Sequence, residues 1–312
     1  MLEVLLLILG LAGLWLGAEL VIKGSLRLSR YYKLSRAFVG LVILSIGTNL
    51  PELFIHVTGG AHRLLGVLNS NLIIGETIGT SIGQISLAVG LAGLFGALSI
   101  TKKQLNRDGL MMLLATVLLL VVSLNGEITR VEGVFLGIIF FAYMFYLFKK
   151  ERFQEKIDKP VNKKVLWTLT SLIVGLFILI LSSELTVSNA LILSKNFGVE
   201  QSLVGILIVG VGTSLPEIVT SISAVKKKVG SLAVGNLIGS NILDLLLTPS
   251  IGAFIAPLIV SGVLLFDMVF LFLISGVVLF FFKSGRKIER KESIAILIIY
   301  FSYFGIKIIT SS

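Results

Sequence analysis

Glu52 and Glu217 sit where a carboxylate is hard to keep. Each closes a copy of one heptapeptide, Ile46-Gly-Thr-Asn-Leu-Pro-Glu52 and Val211-Gly-Thr-Ser-Leu-Pro-Glu217, inside a long apolar stretch. A charged side chain at the centre of a bilayer costs roughly 2.5–3.5 kcal/mol on insertion scales. Two such acids brought to one point repel, so protons or a cation must neutralise them. Pro51 and Pro216 each lack a backbone N–H and crowd the carbonyl four residues back, at Gly47 and Gly212. Carbonyls freed in this way survive in lipid only where they line a protein or water cavity. Carbonyls, the hydroxyls of Thr48 and Thr213 and two carboxylates make an all-oxygen shell. Such a shell of about six to eight ligands suits Ca2+, and a smaller one suits Na+. Softer metals do not fit a chain with no cysteine and two histidines.

A second doubled motif supplies flanking ligands: Gly75-Glu-Thr-Ile-Gly-Thr-Ser-Ile-Gly-Gln84 and Gly235-Asn-Leu-Ile-Gly-Ser-Asn-Ile-Leu-Asp244. Thr80 with Gln84, and Ser240 with Asp244, are spaced to share a helix face. The glycine spacing lets these helices approach their neighbours closely. Thr80 and Ser240 fit packing as well as liganding, whereas Asp244 in an apolar span reads as functional. Glu76 reads either as lining an ion vestibule or as pairing with a loop cation. Glu19 and Glu184 read as interfacial acids near helix ends. Asp108 and Asp267 read as helix starts, and His56 and His62 as residues in or near an external loop, without a metal role.

These side chains need a membrane scaffold. Of the 312 residues 55% are hydrophobic and 14% charged, against about 25% charged in a soluble domain. Apolar runs predict ten spans, near 2–22, 37–58, 66–97, 109–125, 131–149, 165–184, 201–224, 230–255, 264–282 and 291–309. The third and eighth are long and glycine-rich, which predicts bends or breaks. The N-terminus lacks a basic region and a cleavage site, so the first run reads as a retained helix. All but Arg63, Arg130, Lys195 and Lys307 of the 27 Lys and Arg residues fall in alternate loops. The net charge of +10 therefore reads as membrane topology and not as nucleic-acid binding. The positive-inside rule puts those loops in the cytoplasm and both termini outside the cell membrane.

The chain also repeats itself. Residues 14–52 align without gaps onto 179–217, pairing Glu19 with Glu184, Ser29 with Ser194 and Gly40 with Gly205. Five of the seven residues in the closing heptapeptides are identical. A shorter loop changes the offset, and the match resumes with Gly75 on Gly235 and Arg130-x-Glu132 on Arg290-x-Glu292. Each half holds five spans, an odd number, so the second half enters the membrane from the opposite face. The expected fold is an all-α membrane protein of ten transmembrane helices in two inverted-topology five-helix repeats. Residues 1–149 form the first repeat, 150–165 a cytoplasmic linker and 166–312 the second repeat. Inverted repeats of this kind bind their substrate near the bilayer midplane, at the repeat interface.

The two Gly-Thr-x-Leu-Pro-Glu copies and the Gly-x-x-x-Gly-[Ser/Thr]-x-Ile pair resemble the two α-repeats of the calcium/cation antiporters, nearest to prokaryotic sodium/calcium exchangers. The resemblance spans essentially the whole chain. It implies alternating access and exchange of Ca2+ for Na+, with no cofactor and no enzymatic activity. It further implies that Glu52 and Glu217 bind Ca2+ and share Na+, and that Asp244 holds the acidic position of the second repeat. Thr48, Thr213, Ser214, Thr80, Ser240 and carbonyls near Ser45 and Gly210 would complete the ion sites. Three residues depart from the family pattern: Asn49 stands for a usual Ser, Gln84 for a usual Asn, and Glu76 for the Asn retained at Asn236.

Other classes fit less well. The sequence has no His-Glu-x-x-His zinc motif and no Gly-x-Ser-x-Gly elbow. An intramembrane aspartyl protease would need two facing Asp, whereas the symmetric pair is Glu. Within the same fold, exchange of H+ for Ca2+ is the alternative. A cation channel remains the rival outside carriers, because carboxylate rings also select cations. The partners implied are membrane lipid and the ions themselves.

Overall fold

A computed structural model describes residues 2–66, 70–152, 163–196 and 214–311 of the chain. The apolar runs form helices, as their length and composition require. They are α1 (Leu2–Tyr31), α2 (Arg36–Thr48), α3 (Leu50–Leu64), α4 (Ser70–Ile82, continuing through Val89–Phe95), α5 (Lys102–Ser123), α6 (Arg130–Arg152) and α7 (Lys163–Asn196). They continue as α8 (Leu215–Lys226), α9 (Gly230–Ile255), α10 (Gly262–Gly285) and α11 (Arg290–Ser311). Among the described residues seven helices are long and apolar enough to cross a membrane, or eight if the bent pair α2 and α3 is one span. Much of the expected span at 201–224, including 201–213, lies outside the described residues.

Burial sorts the helices. In α4 and α9, 78% of the central window is buried, against 33–44% in α1, α5, α6, α7 and α10. The outer helices expose large apolar side chains such as Phe141, Phe145, Trp167, Phe177, Phe266 and Phe280. That suits contact with hydrocarbon, which offers such surfaces no penalty. The core clusters around α4 and α9, with Ile74, Ile78, Ile82 and Ile85 from one and Leu237, Ile238, Ile242 and Leu245 from the other. The molecule is a multi-pass membrane protein.

The halves interlock by exchanging partners. Helix α6, which ends the first half, packs on α9, and α11, which ends the second, packs on α4. Gly93 of α4 meets Ser293 of α11, and Gly133 of α6 meets Ala253 of α9. The two contacts match across the internal repeat, Gly93 corresponding to Ala253 and Ser293 to Gly133. Four short strands behave alike. β1 (Leu98–Ser99) pairs with β4 (Lys287–Ile288), and β2 (Glu127–Ile128) with β3 (Leu258–Ile259). The register Leu98↔Ile288 maps onto Leu258↔Ile128. These pairings are antiparallel bridges at helix ends and were not anticipated by the all-α reading.

Several sequence expectations are corrected. Asp108 and Asp267 do not start helices. Asp108 lies in a π-helical turn, Leu105–Gly109, and Asp267 lies inside α10. Both are buried and accept a tyrosine O–H from a distant helix: Tyr143 to Asp108 at 2.6 Å and Tyr303 to Asp267 at 2.7 Å. Arg107 and Lys307 supply the balancing cations, at 2.5 Å and 2.7 Å. Glu19 is interior to α1, where it pairs with Lys23 at 3.0 Å and with Lys227, the residue that caps the end of α8, at 2.5 Å. His56 is in no loop: it is fully buried in α3, its Nε2 2.7 Å from Thr77 Oγ1.

Candidate functional site

The first copy of the heptapeptide breaks its helix, as its proline predicts, but by ending one helix and beginning another. Helix α2 stops at Thr48, Asn49 leaves helical geometry (φ −90°, ψ 14°), and α3 begins at Leu50 with an axis bent by 47°. Pro51 falls in the first turn of α3, where a backbone N–H has no intrahelical partner to lose. The same turn holds Glu52, at the helix end whose dipole favours an anion. In the second copy Ser214 (φ −85°, ψ 3°) precedes α8, with Pro216 and Glu217 in its first turn. Gly212, Thr213 and Gly210 lie outside the described residues.

Glu52 is 1% exposed and Glu217 0%. Among the described residues none of their four carboxylate oxygens has a hydrogen-bond partner. Thr48, whose hydroxyl points to the Ser45 carbonyl at 3.5 Å, is the polar neighbour of the Glu217 carboxyl. Glu52 lies within electrostatic range of Glu217, Asp244 and Glu76, and Asp244 within range of Glu76 and Glu217. The two heptapeptide acids therefore do converge, and two further carboxyls join them.

Gln84 ties the centre together. Its Nε2 donates to Asp244 Oδ2 at 3.0 Å and to Asn49 Oδ1 at 3.3 Å, while its Oε1 accepts from Asn241 Nδ2 at 3.0 Å. Gln84 and Asp244 hold matching positions in the two copies of the second motif, and their side chains are hydrogen-bonded to each other. Gln84 of α4 thus bridges Asn49, at the break between α2 and α3, to Asp244 and Asn241 of α9. A π-helical turn at Gly83–Ala88 carries this side chain, a backbone form frequent at functional sites.

The other expected ligands divide. Ser214 Oγ, Ser240 Oγ, Asn49 Nδ2 and Asp244 Oδ1 are buried and unpartnered among the described residues. Thr80 donates to Glu76 Oε1 at 3.1 Å, and Ser45 Oγ donates to the Leu41 carbonyl at 2.5 Å. Asn241 and Asn236 were missed as site residues. Asn241 holds Gln84, and both amide atoms of buried Asn236 are unpartnered. Their visible signal was the alignment itself, since each occupies the polar stripe of α9 that matches Glu76-to-Gln84. Among the described residues no three His, Cys, Asp or Glu side chains group so as to hold a metal ion by themselves. What is offered is a mixed oxygen set of carboxylates, amides and hydroxyls, suited to hard cations.

The family model described as sodium/calcium exchanger protein matches residues 2–149 and 167–309. An uncharacterized membrane protein of Methanocaldococcus jannaschii is 30% identical over 295 residues, covering 94% of each chain. The sodium/calcium exchanger MaX1 of Methanosarcina acetivorans is 26% identical, covering 96% of each. Among solved structures, the sodium-calcium exchanger NCX_Mj soaked with Na+ and Sr2+ superposes with a TM-score of 0.86 at 28% identity, covering 98% of each chain.

Proposed function

The chain belongs to the sodium/calcium exchanger family, and on that premise we propose that it is a secondary antiporter moving Ca2+ against Na+ through a carboxylate site between two inverted five-helix repeats. One observation carries the reading: Glu52 and Glu217, at matched positions, are buried together with four carboxylate oxygens that no described residue satisfies. Asp244 adds a third acid, and Thr48, Thr213, Ser214, Asn49, Thr80, Gln84, Ser240 and carbonyls near Ser45 and Gly210 complete the oxygen set.

The repeat arrangement is 1–149 and 166–312, with 150–165 as a cytoplasmic linker and both termini outside the cell. The partner exchange of α6 and α11, the mirrored strand registers and the Gln84–Asp244 contact support the pairing of two repeats, and the positive-inside distribution of Lys and Arg supports the orientation. Coupling follows from desolvation. An empty site with ionised acids is costly to close off from water, whereas a site loaded with Ca2+ or with Na+ is not. Only loaded carriers then switch between the two faces, which is exchange and not leak.

The test is counterflow. Proteoliposomes loaded with labelled Ca2+ should release it only when Na+ or Ca2+ is present outside. Release into cation-free medium at the same rate would make the protein a channel, and release driven by a pH gradient but not by Na+ would make H+ the counter-ion.

A further inference from the structure

Glu76 has no counterpart in the other repeat, where the matching residue is Asn236. Its side chain is 13% exposed and lies on α4 one turn from Thr80 and two from Gln84. Its Oε1 accepts from the Thr80 hydroxyl at 3.1 Å, and its Oε2 is buried without a hydrogen bond among the described residues. Thr80 thus links Glu76 to the face that bears Gln84, and through Gln84 to Asp244.

The nearest candidate counter-charge is His56, whose Nε2 is 3.8 Å from Glu76 Oε2. The hydrogen bonds around it leave that nitrogen otherwise engaged. His56 Nε2 is hydrogen-bonded to Thr77 Oγ1 at 2.7 Å, and that hydroxyl also lies 3.3 Å from the Ile73 carbonyl. The ring's Nδ1 is buried without a partner among the described residues, and Gly252 packs beside it. A second ring proton would be a stranded charged donor there. His56 therefore does not neutralise Glu76.

We propose that Glu76 is a specificity-determining residue of the exchange site, giving it a fourth carboxylate that recruits one additional alkali cation in each transport cycle. The inference rests on the antiport reading and refines its counter-ion count. With Glu76, whose side chain is 13% exposed, added to the buried Glu52, Glu217 and Asp244, four acids demand one more positive charge than three before the carrier closes. The oxygens at hand, Glu76 Oε2 and the Thr80 hydroxyl, are the hard donors that Na+ or K+ takes. Because Asn236 is neutral, the extra cation binds on one side of the pseudo-symmetry axis only.

The experiment is a stoichiometry measurement on purified full-length protein in proteoliposomes. The reversal point of Ca2+ flux is found at fixed Ca2+ and stepped Na+ gradients, with and without a K+ gradient, for wild type, Glu76→Gln and Glu76→Asn. Both variants should lose one monovalent cation per Ca2+, as a shift in the reversal point; a K+ dependence of the wild-type value would identify K+ as the extra ion. An unchanged reversal point in both variants overturns the proposal, as does a shift that follows an imposed pH gradient and no alkali gradient. If wild type exchanges nothing, the antiport reading falls with it. If wild type exchanges and only the variants' count is unaltered, the antiport reading stands alone.

Discussion

Replacing Gln84 by Met removes the bridge at the centre of the molecule while nearly preserving volume. Three hydrogen bonds go: one to the Asp244 carboxylate, one to Asn49 and one from Asn241. A bond to a charged group contributes about 1.5–3 kcal/mol and a neutral one about 1 kcal/mol. Asn241 keeps its bond to the Leu237 carbonyl at 3.0 Å, so its amide is not stranded. The expected loss is therefore roughly 3–5 kcal/mol in cation-free protein. Gln84→Asn, a methylene shorter, cannot reach all three partners and should lose about 1–3 kcal/mol. Unfolding in mixed micelles can be followed by the fluorescence of Trp15 and Trp167, the chain's 2 tryptophans. The cycle of Gln84→Met and Asp244→Asn should show a coupling of about 0.5–3 kcal/mol. A Gln84→Met protein within about 1 kcal/mol of wild type, with additive double-mutant energies, would refute the bridge.

Other expectations follow from the same packing. Gly239→Ala places a methyl group against the Leu41 backbone and should lower stability by about 1–3 kcal/mol, read in the same unfolding assay. Tyr143→Phe removes the O–H from buried Asp108 and should cost about 1–3 kcal/mol while Ca2+ flux per folded molecule is retained. The Glu19–Lys227 pair is about one-third exposed, with side chains at 30% and 27%; its double-mutant coupling should be below about 1 kcal/mol and fall with added salt.

The scaffold was largely legible because lipid imposes long apolar runs, and the repeat because five of seven residues in one motif recur. The helix break at Asn49 and the acids after it followed from the local chemistry of Gly, Pro and Glu. What escaped was pairing across distance. Asp108 and Asp267 look like helix starts until Tyr143 and Tyr303, some 35 residues on, are seen to hold them. His56 looked peripheral because only the folded α3–α4 contact gives its ring a partner in Thr77. Glu19 resembles an interfacial acid, yet its strongest neighbour is Lys227, from the other repeat. The π-helical turns at Val39–Leu44, Gly83–Ala88 and Leu105–Gly109 have no local sequence signature. They arise where α2, α4 and α5 are packed tightly against the opposite half.

The most direct measurement is Na+-gradient-driven uptake of labelled Ca2+ by proteoliposomes holding wild type, Glu52→Gln or Glu217→Gln. Wild type should accumulate Ca2+ and lose the ability when the gradient is collapsed, and each glutamine variant should fall to the level of empty vesicles while remaining folded. Uptake at the wild-type rate by either folded variant would contradict the view that these two buried acids hold the transported ions.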